Sequence, residues 1–420
     1  MGVSPSSQVA ATVRRHRIFT VLAPALALTC VSAAGQTNPI DSLAPGHWLE
    51  LADTRVRAHA PPEFIDGSFI GDVEYVMKAW SGGAFDPVND RFLLRGGGHI
   101  VYGGNEIYAL DVNTLQLSRA WGPSPFAGWQ DQDLVMPDGA PVASHSCDHL
   151  EYIPSTNSFC TFTNPANWQY DVMHDYTSYC VDLDVGEWRT VATMPDNAGQ
   201  CMFSAFHPGR GTVFIHGGGK LKYLKEYDPV ADTWRAWGTI WSDANFYFSD
   251  RSTAALDHDR DLFVMIGDGD FIVWDISGAP RDVTGQAIAS TGDNEIVDAR
   301  APGFVYDPVH RVFVAWDGGA DVYVIDPDDW HWRRIAPAPG NTVVPTGTAD
   351  TQGTFGRFQY MPSKNAFIAV SSVDANMFVY RLDLPRQVAL PPWTLPVWAV
   401  LLGWLALLGR IRGQGLRGAS

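Results

Sequence analysis

The stretch Ala84-Phe-Asp-Pro-Val-Asn-Asp-Arg-Phe92 decides the fold, because the chain keeps returning to it. An apolar pair leads into a Pro-centred turn, and the strand that follows the turn closes on Phe. The same reading fits Glu151-Tyr-Ile-Pro-Ser-Thr-Asn-Ser-Phe159 and, one residue longer, Ala205-Phe-His-Pro-Gly-Arg-Gly-Thr-Val-Phe214. It fits again at Ala255-Leu-Asp-His-Asp-Arg-Asp-Leu-Phe263, Val305-Tyr-Asp-Pro-Val-His-Arg-Val-Phe313 and Gln359-Tyr-Met-Pro-Ser-Lys-Asn-Ala-Phe367. The closing Phe residues lie 67, 55, 49, 50 and 54 positions apart. A period of about fifty residues is that of propeller blades.

Each unit continues alike. An apolar strand follows the Phe, then in four units glycines: Gly96-Gly-Gly98, Gly217-Gly-Gly219, Gly267-Asp-Gly269 and Gly318-Gly319. A third strand closes on Asp (Asp111, Asp184, Asp228, Asp275, Asp326, Asp383), and a fourth carries Trp188, Trp234 or Trp332. The sixth unit stops after its third strand, near Leu384-Pro385. Its missing fourth strand stands at the other end, where His47-Trp48-Leu49-Glu50-Leu51 matches Thr233-Trp234-Arg235-Ala236-Trp237. An N-terminal strand that completes the last blade removes a free edge and ties both termini to the ring.

These units resemble the kelch repeat of the galactose oxidase central-domain superfamily over residues 47–384. The resemblance implies an all-β, six-bladed kelch-type propeller. It does not carry the copper–radical chemistry of galactose oxidase, whose site needs a Tyr-His pair. The chain has no Tyr-His dipeptide, and its mature cysteines have other uses.

Composition agrees with strands and tight turns. There are 40 Gly, 28 Pro and 16 Trp, but only 8 Glu and 5 Lys to cover helix faces. The net charge of −17 argues against a nucleic-acid partner, since phosphate contacts need Lys and Arg. The basic residues at the ends (Arg14, Arg15, Arg17; Arg386, Arg410, Arg412, Arg417) have no acids among them, so the body between is still more acidic.

The ends read as address segments. Residues 1–34 have the basic, apolar and small-residue regions of a secretory signal peptide, and 35–46 form a linker. After the propeller come a Pro-rich linker (385–394), a transmembrane helix (395–409) and a basic cytoplasmic tail (410–420). This C-terminus resembles the sorting signals of bacterial surface proteins, which implies a sorting protease as partner. The protein is therefore expected outside the cytoplasmic membrane, tethered there or released to the cell surface.

Four cysteines remain after signal cleavage, an even count that fits two disulfides in an exported chain. Cys160 and Cys180 fall on adjacent strands of one blade. Cys147 and Cys201 each lie seven residues before a turn Pro (Pro154, Pro208), at matching places in neighbouring blades. The expected pairs are Cys160–Cys180 and Cys147–Cys201.

Binding residues are sought where the inner strands begin. Two loops there are long: 122–144, with Trp129, and 163–175, with Trp168, Tyr170 and His174. The run from Gly96 to Tyr108 gathers His99, Tyr102, Asn105 and Glu106 among glycines, where backbone can approach a ligand or, equally, where Asn105 and Glu106 can fix the loop. His145 and His149 share a strand face with Cys147, but a metal would need a third ligand, and no metal or other cofactor is expected. Asp257, Asp259 and Asp261 alternate as in calcium loops, without the Glu an EF-hand needs, and read as a turn. Arg251, Arg300 and Arg357 stand near inner-strand starts and could form a funnel for an anion, or pair with Asp.

The leading expectation is an exported, membrane-tethered binding module for a glycan or surface protein. Its ligand contacts would come from His99, Tyr102, Asn105, Trp129, His145, Trp168, Tyr170, His174, Trp241, Tyr247, Arg251 and Arg357. The alternative is a carbohydrate-active epimerase, lyase or hydrolase using His99, Tyr102, Glu106 and His145.

Overall fold

The computed structural model describes residues 37–97, 101–130, 133–162, 177–195, 201–217, 223–239, 242–243, 251–346 and 352–384. The signal-peptide and membrane-helix readings lie outside these residues. Within them no helix is long and apolar enough to cross a membrane.

Six sheets, antiparallel but for the short strand Thr291–Gly292, which pairs parallel at the edge of blade five, form a six-bladed propeller. The innermost strands of blades one to six are Gly83–Asp86, Leu150–Ile153, Met202–His207, Thr253–Asp257, Gly303–Asp307 and Phe358–Met361. Each touches the innermost strands of the blades on either side, and the ring closes from the sixth to the first. The turn motifs that revealed the period are the hairpins following these strands. Their left-handed positions fall in register at Asp90, Asn157, Gly211, Asp261, Arg311 and Asn365. Asn, Asp and Gly are the residues that tolerate this conformation, and only blade five departs from them. The aspartates at 86, 257 and 307 brace the same hairpins by accepting backbone N–H groups two and three residues on. Asp257 thus serves a turn, as its spacing implied.

The closing Phe residues 92, 159, 214, 263, 313 and 367 are almost wholly buried. Six apolar clusters fill the interfaces between neighbouring blades, and the closing Phe residues sit in five of them, Phe214 and Phe263 sharing one. The core of this protein is therefore a ring of interfaces rather than one centre, and each blade depends on both neighbours.

Ring closure follows the sequence reading. The strand Trp48–Leu51 is the outermost strand of blade six, with Trp48 opposite Tyr380. Trp234 faces Tyr227 at the same place in blade three. Both indoles reach the preceding blade: Trp48 Nε1 donates to the Ala320 carbonyl at 2.8 Å, and Trp234 Nε1 to that of Ala192 at 2.7 Å. Residues ahead of this strand also pack on the body, with Ile40 fully buried and Asn38 donating to the Val112 carbonyl.

The second unit needs one correction. Its third strand, Tyr179–Asp182, ends two residues earlier than the repeat pattern placed it. Asp182, not Asp184, accepts the turn N–H groups. A run with two aspartates left the sequence register open, and strand pairing resolved it. Both disulfides form as expected: Cys160 lies opposite Cys180 in the ladder, and Cys147–Cys201 joins blades two and three.

Candidate functional site

The channel has two unlike ends. At the loop end, where inner strands begin, Tyr102 Oη donates to Glu106 Oε1 at 2.5 Å and Tyr108 Oη donates to the same oxygen at 2.8 Å. All three side chains are buried, and burial pushes the Glu106 carboxyl up despite the phenol donors. The neighbouring glycines make room for this cluster. A Cβ at Gly96 would stand 3.0 Å from Glu106 Cδ, and one at Gly104 would stand 2.5 Å from Tyr102 Oη. Asn105 donates to Ser124 Oγ and the Pro141 carbonyl and accepts from the Ser124 N–H, so its amide holds the loop to the next one.

The remaining candidates at this end scatter. His145 is nearly buried and stacks on Trp80 at 4.8 Å. Burial pushes His149, behind it, down to about 3, so that ring is neutral. Arg357 is turned inward, donating to the carbonyls of Ser81, Val370 and Gly353, and burial pulls it down to about 10. Arg251 lies 4.0 Å from Asp268, and Arg300 is exposed. Trp129 packs against Phe126 and bonds the Asp133 carbonyl on the 122–144 loop. His99, Trp168, Tyr170, His174, Trp241 and Tyr247 lie outside the described residues. Among the described residues no group of three or more His, Cys, Asp or Glu side chains is placed to hold a metal ion.

Four segments meet over the loop end of the channel. Cys147, Cys201, Ala301 and Phe355 form a buried cluster against Trp80. Trp80, Cys147, Ala301 and Phe355 all adopt left-handed backbone, which costs a non-glycine residue about 1–3 kcal/mol when the surroundings force it. The Ala301 carbonyl accepts from the N–H groups of Thr354 and Phe355, and the Trp80 carbonyl from those of Ser146 and Cys147. Gly82 has no side chain because a Cβ there would collide with the Cys147 carbonyl. These contacts make a rigid lid.

Below the lid lies an axial cavity of about 320 Å³, lined by residues of all six inner strands. It runs to a rim of exposed turn residues, Pro87, Pro154, Pro208 and Pro362, on the hairpin face. Its walls are largely aromatic: Phe85, Tyr152, Phe206, Tyr306 and Tyr360 occupy equivalent places in five blades, with Leu256 in the sixth. Apart from tyrosine hydroxyls and His258 of blade four, its polar groups come from blades two, three and six. Asp148, beside the lid, accepts the Ala254 N–H on Oδ2 at 2.7 Å. Glu151 accepts from Ser204 Oγ on Oε1 at 2.7 Å. Gln359 donates to the Gly356 carbonyl at 3.0 Å. Among the described residues, no Lys or Arg lines it. Burial pushes Glu151 up to about 7, and burial with the nearby Glu151 charge holds Asp148 well above the usual carboxylate range. An apolar pocket with a few convergent polar groups and displaced carboxyls has the make-up of a ligand site.

Sequence reasoning looked to the opposite end of the channel and passed over Asp148, Glu151 and Ser204. A signal was nevertheless present. The position of Glu151 is Ala84, Ala205, Ala255, Val305 and Gln359 in the other repeats, so an acid there breaks a mostly apolar series facing the axis.

No known protein-family model matches the chain, and no curated protein matches it. Among solved structures, the chain is similar to an auxiliary nutrient binding protein from Bacteroides thetaiotaomicron VPI-5482. The two share 11% identity at a TM-score of 0.45, over 74% of this chain and 69% of that one. An auxiliary nutrient binding protein from Bacteroides ovatus ATCC 8483 is similar at 13% identity and a TM-score of 0.44, over 72% and 69%. Likeness at this level assigns no ligand, and the resemblance to kelch repeats rests on the sequence motifs alone.

Proposed function

We propose that the protein is an exported, membrane-tethered binding module, and that part of a glycan or surface-protein ligand enters the axial cavity from the hairpin face. The observation that carries this reading is the cavity itself: aromatic side chains in its walls, an open rim, a packed lid, and two carboxyls with no cation among the described lining residues. The disulfides and the apolar N-terminal segment fit an oxidising compartment outside the cytoplasm. The loop-end candidates support the scaffold in this reading, because Asn105, Glu106 and Arg357 spend their bonds inside the protein.

A second reading, a carbohydrate-active enzyme, draws support from the same carboxyl pair. Glu151, held near neutrality, is poised to give and take a proton. The test is a glycan array probed with the full chain in detergent and with Ala205→Trp, which places an indole in the cavity. Loss of array binding in a folded Ala205→Trp protein supports the cavity; undiminished binding refutes it. Release of reducing sugar from a bound glycan, abolished by Glu151→Gln, would decide for the enzyme.

A further inference from the structure

Resting on the cavity reading, we infer that the ligand group seated beneath the lid is an organic ammonium ion. Three features of different origin favour a cation there. Asp148 and Glu151 each commit one oxygen to a protein donor, Ala254 N–H and Ser204 Oγ. Glu151 also takes the Phe206 N–H, whereas among the described residues no hydrogen bond engages Asp148 Oδ1; both side chains are half-buried in the cavity wall. Among the described residues, the lining supplies no Lys or Arg as counter-ion. The lining is rich in aromatic side chains, and aromatic rings attract cations at their faces and repel anions there.

Other occupants fit less well. A carboxylate or phosphate would find no Lys or Arg among the described lining residues to bind it. A neutral ring could stack on the walls, but it would give the two carboxyls no charge to pair with once they ionise. A hard metal ion needs more oxygen ligands than two side chains offer. An ammonium group supplies the missing positive charge and presents apolar carbon to the aromatic walls.

Proton linkage follows. The titratable groups facing the cavity are Asp148, Glu151, Tyr152, Tyr306 and Tyr360, with His258 at the rim. Burial raises the carboxyls, so an arriving cation must displace protons from them, and affinity must climb with pH up to about 7.

The test uses choline, whose charge does not titrate, beside its uncharged carbon isostere 3,3-dimethylbutan-1-ol, and glucosamine beside glucose. Calorimetry on the full chain in detergent should show each ammonium compound binding about tenfold or more tighter than its neutral partner. Choline affinity should fall about tenfold per pH unit as the carboxyls protonate below pH 7. Glu151→Gln should weaken choline and flatten that profile, with Asp148→Asn as the second variant. Equal or tighter binding of the neutral partners, or no binding of either ammonium compound at millimolar concentration, overturns the inference. The cavity reading fails separately: it falls if a glycan found on the array still binds Ala205→Trp. It survives if that variant loses a ligand that proves neutral or anionic.

Discussion

Replacing Glu151 by Gln should make the protein more stable at alkaline pH and leave its stability at acid pH almost unchanged. Glu151 lies against the cavity wall with one oxygen on Ser204 and no cation beside it, and burial raises its carboxyl from the usual 4.5 to about 7. The folded state thus holds a proton that the unfolded chain has released. A raised pKa of this kind contributes stability that is fully present below pH 4.5 and is lost as pH climbs through 7. At about 1.4 kcal/mol for each tenfold change in proton affinity, ionising Glu151 costs the folded state about 3 kcal/mol by pH 8. Gln keeps the shape and can still accept the Ser204 hydroxyl proton, but it has nothing to ionise. Urea unfolding of both proteins from pH 4.5 to 8.5 should show curves that coincide at the acid end and separate by up to about 3 kcal/mol at the other. A difference that stays constant with pH would refute the buried, uncompensated carboxyl, and with it the electrostatic case for a cationic ligand.

The other predictions concern the scaffold. Trp48→Ala should lower global stability by about 3–5 kcal/mol in a single cooperative transition, since Trp48 is buried between blades five and six; a loss under about 1 kcal/mol would mean that the N-terminal strand does not seal the ring. Tyr102→Phe removes one of two phenol donors from Glu106 and should cost about 1.5–3 kcal/mol by the same unfolding assay if the carboxyl is ionised there. Replacing Cys147 and Cys201 together by Ala should cost about 2–4 kcal/mol, and should narrow the gap between oxidised and reduced wild-type protein measured with a thiol reductant. Gly82→Ala should destabilise by more than about 2 kcal/mol, because the added methyl meets the Cys147 backbone rather than a movable side chain.

Much of the fold was legible in the sequence, for reasons visible in particular residues. The hairpin after each inner strand is a local structure, so Asp86-Pro87, Ile153-Pro154 and Asp307-Pro308 announce it wherever they occur. Five closing Phe residues recur because each fills the gap against the preceding blade; Phe214, after a hairpin one residue longer, turns to the following blade instead. Trp48 could be matched to Trp234 across the chain because both indoles perform one task, bonding a carbonyl of the preceding blade. Even the disulfides followed from register. The third strand of blade two was misplaced by two residues because nothing local separates Asp182 from Asp184; cross-strand pairing does.

The site was far less legible. Glycines, a histidine and a glutamate in one run looked like a cradle for a ligand, but Gly96 and Gly104 make way for the buried Glu106–Tyr102–Tyr108 cluster. Whether a glycine admits a ligand or an internal side chain depends on what fills the space, and sequence does not say. By itself the sequence determined the number of blades, the closing strand, the disulfide partners and the acidic character of the body, because each follows from a repeated local pattern or from counting. Only the tertiary structure decided which end of the channel is covered and that Asp148, Glu151 and Ser204 share one aromatic-walled cavity. Asp148 and Glu151 stand on blade two and Ser204 on blade three, and their environment exists only when the ring closes and brings six inner strands around one axis.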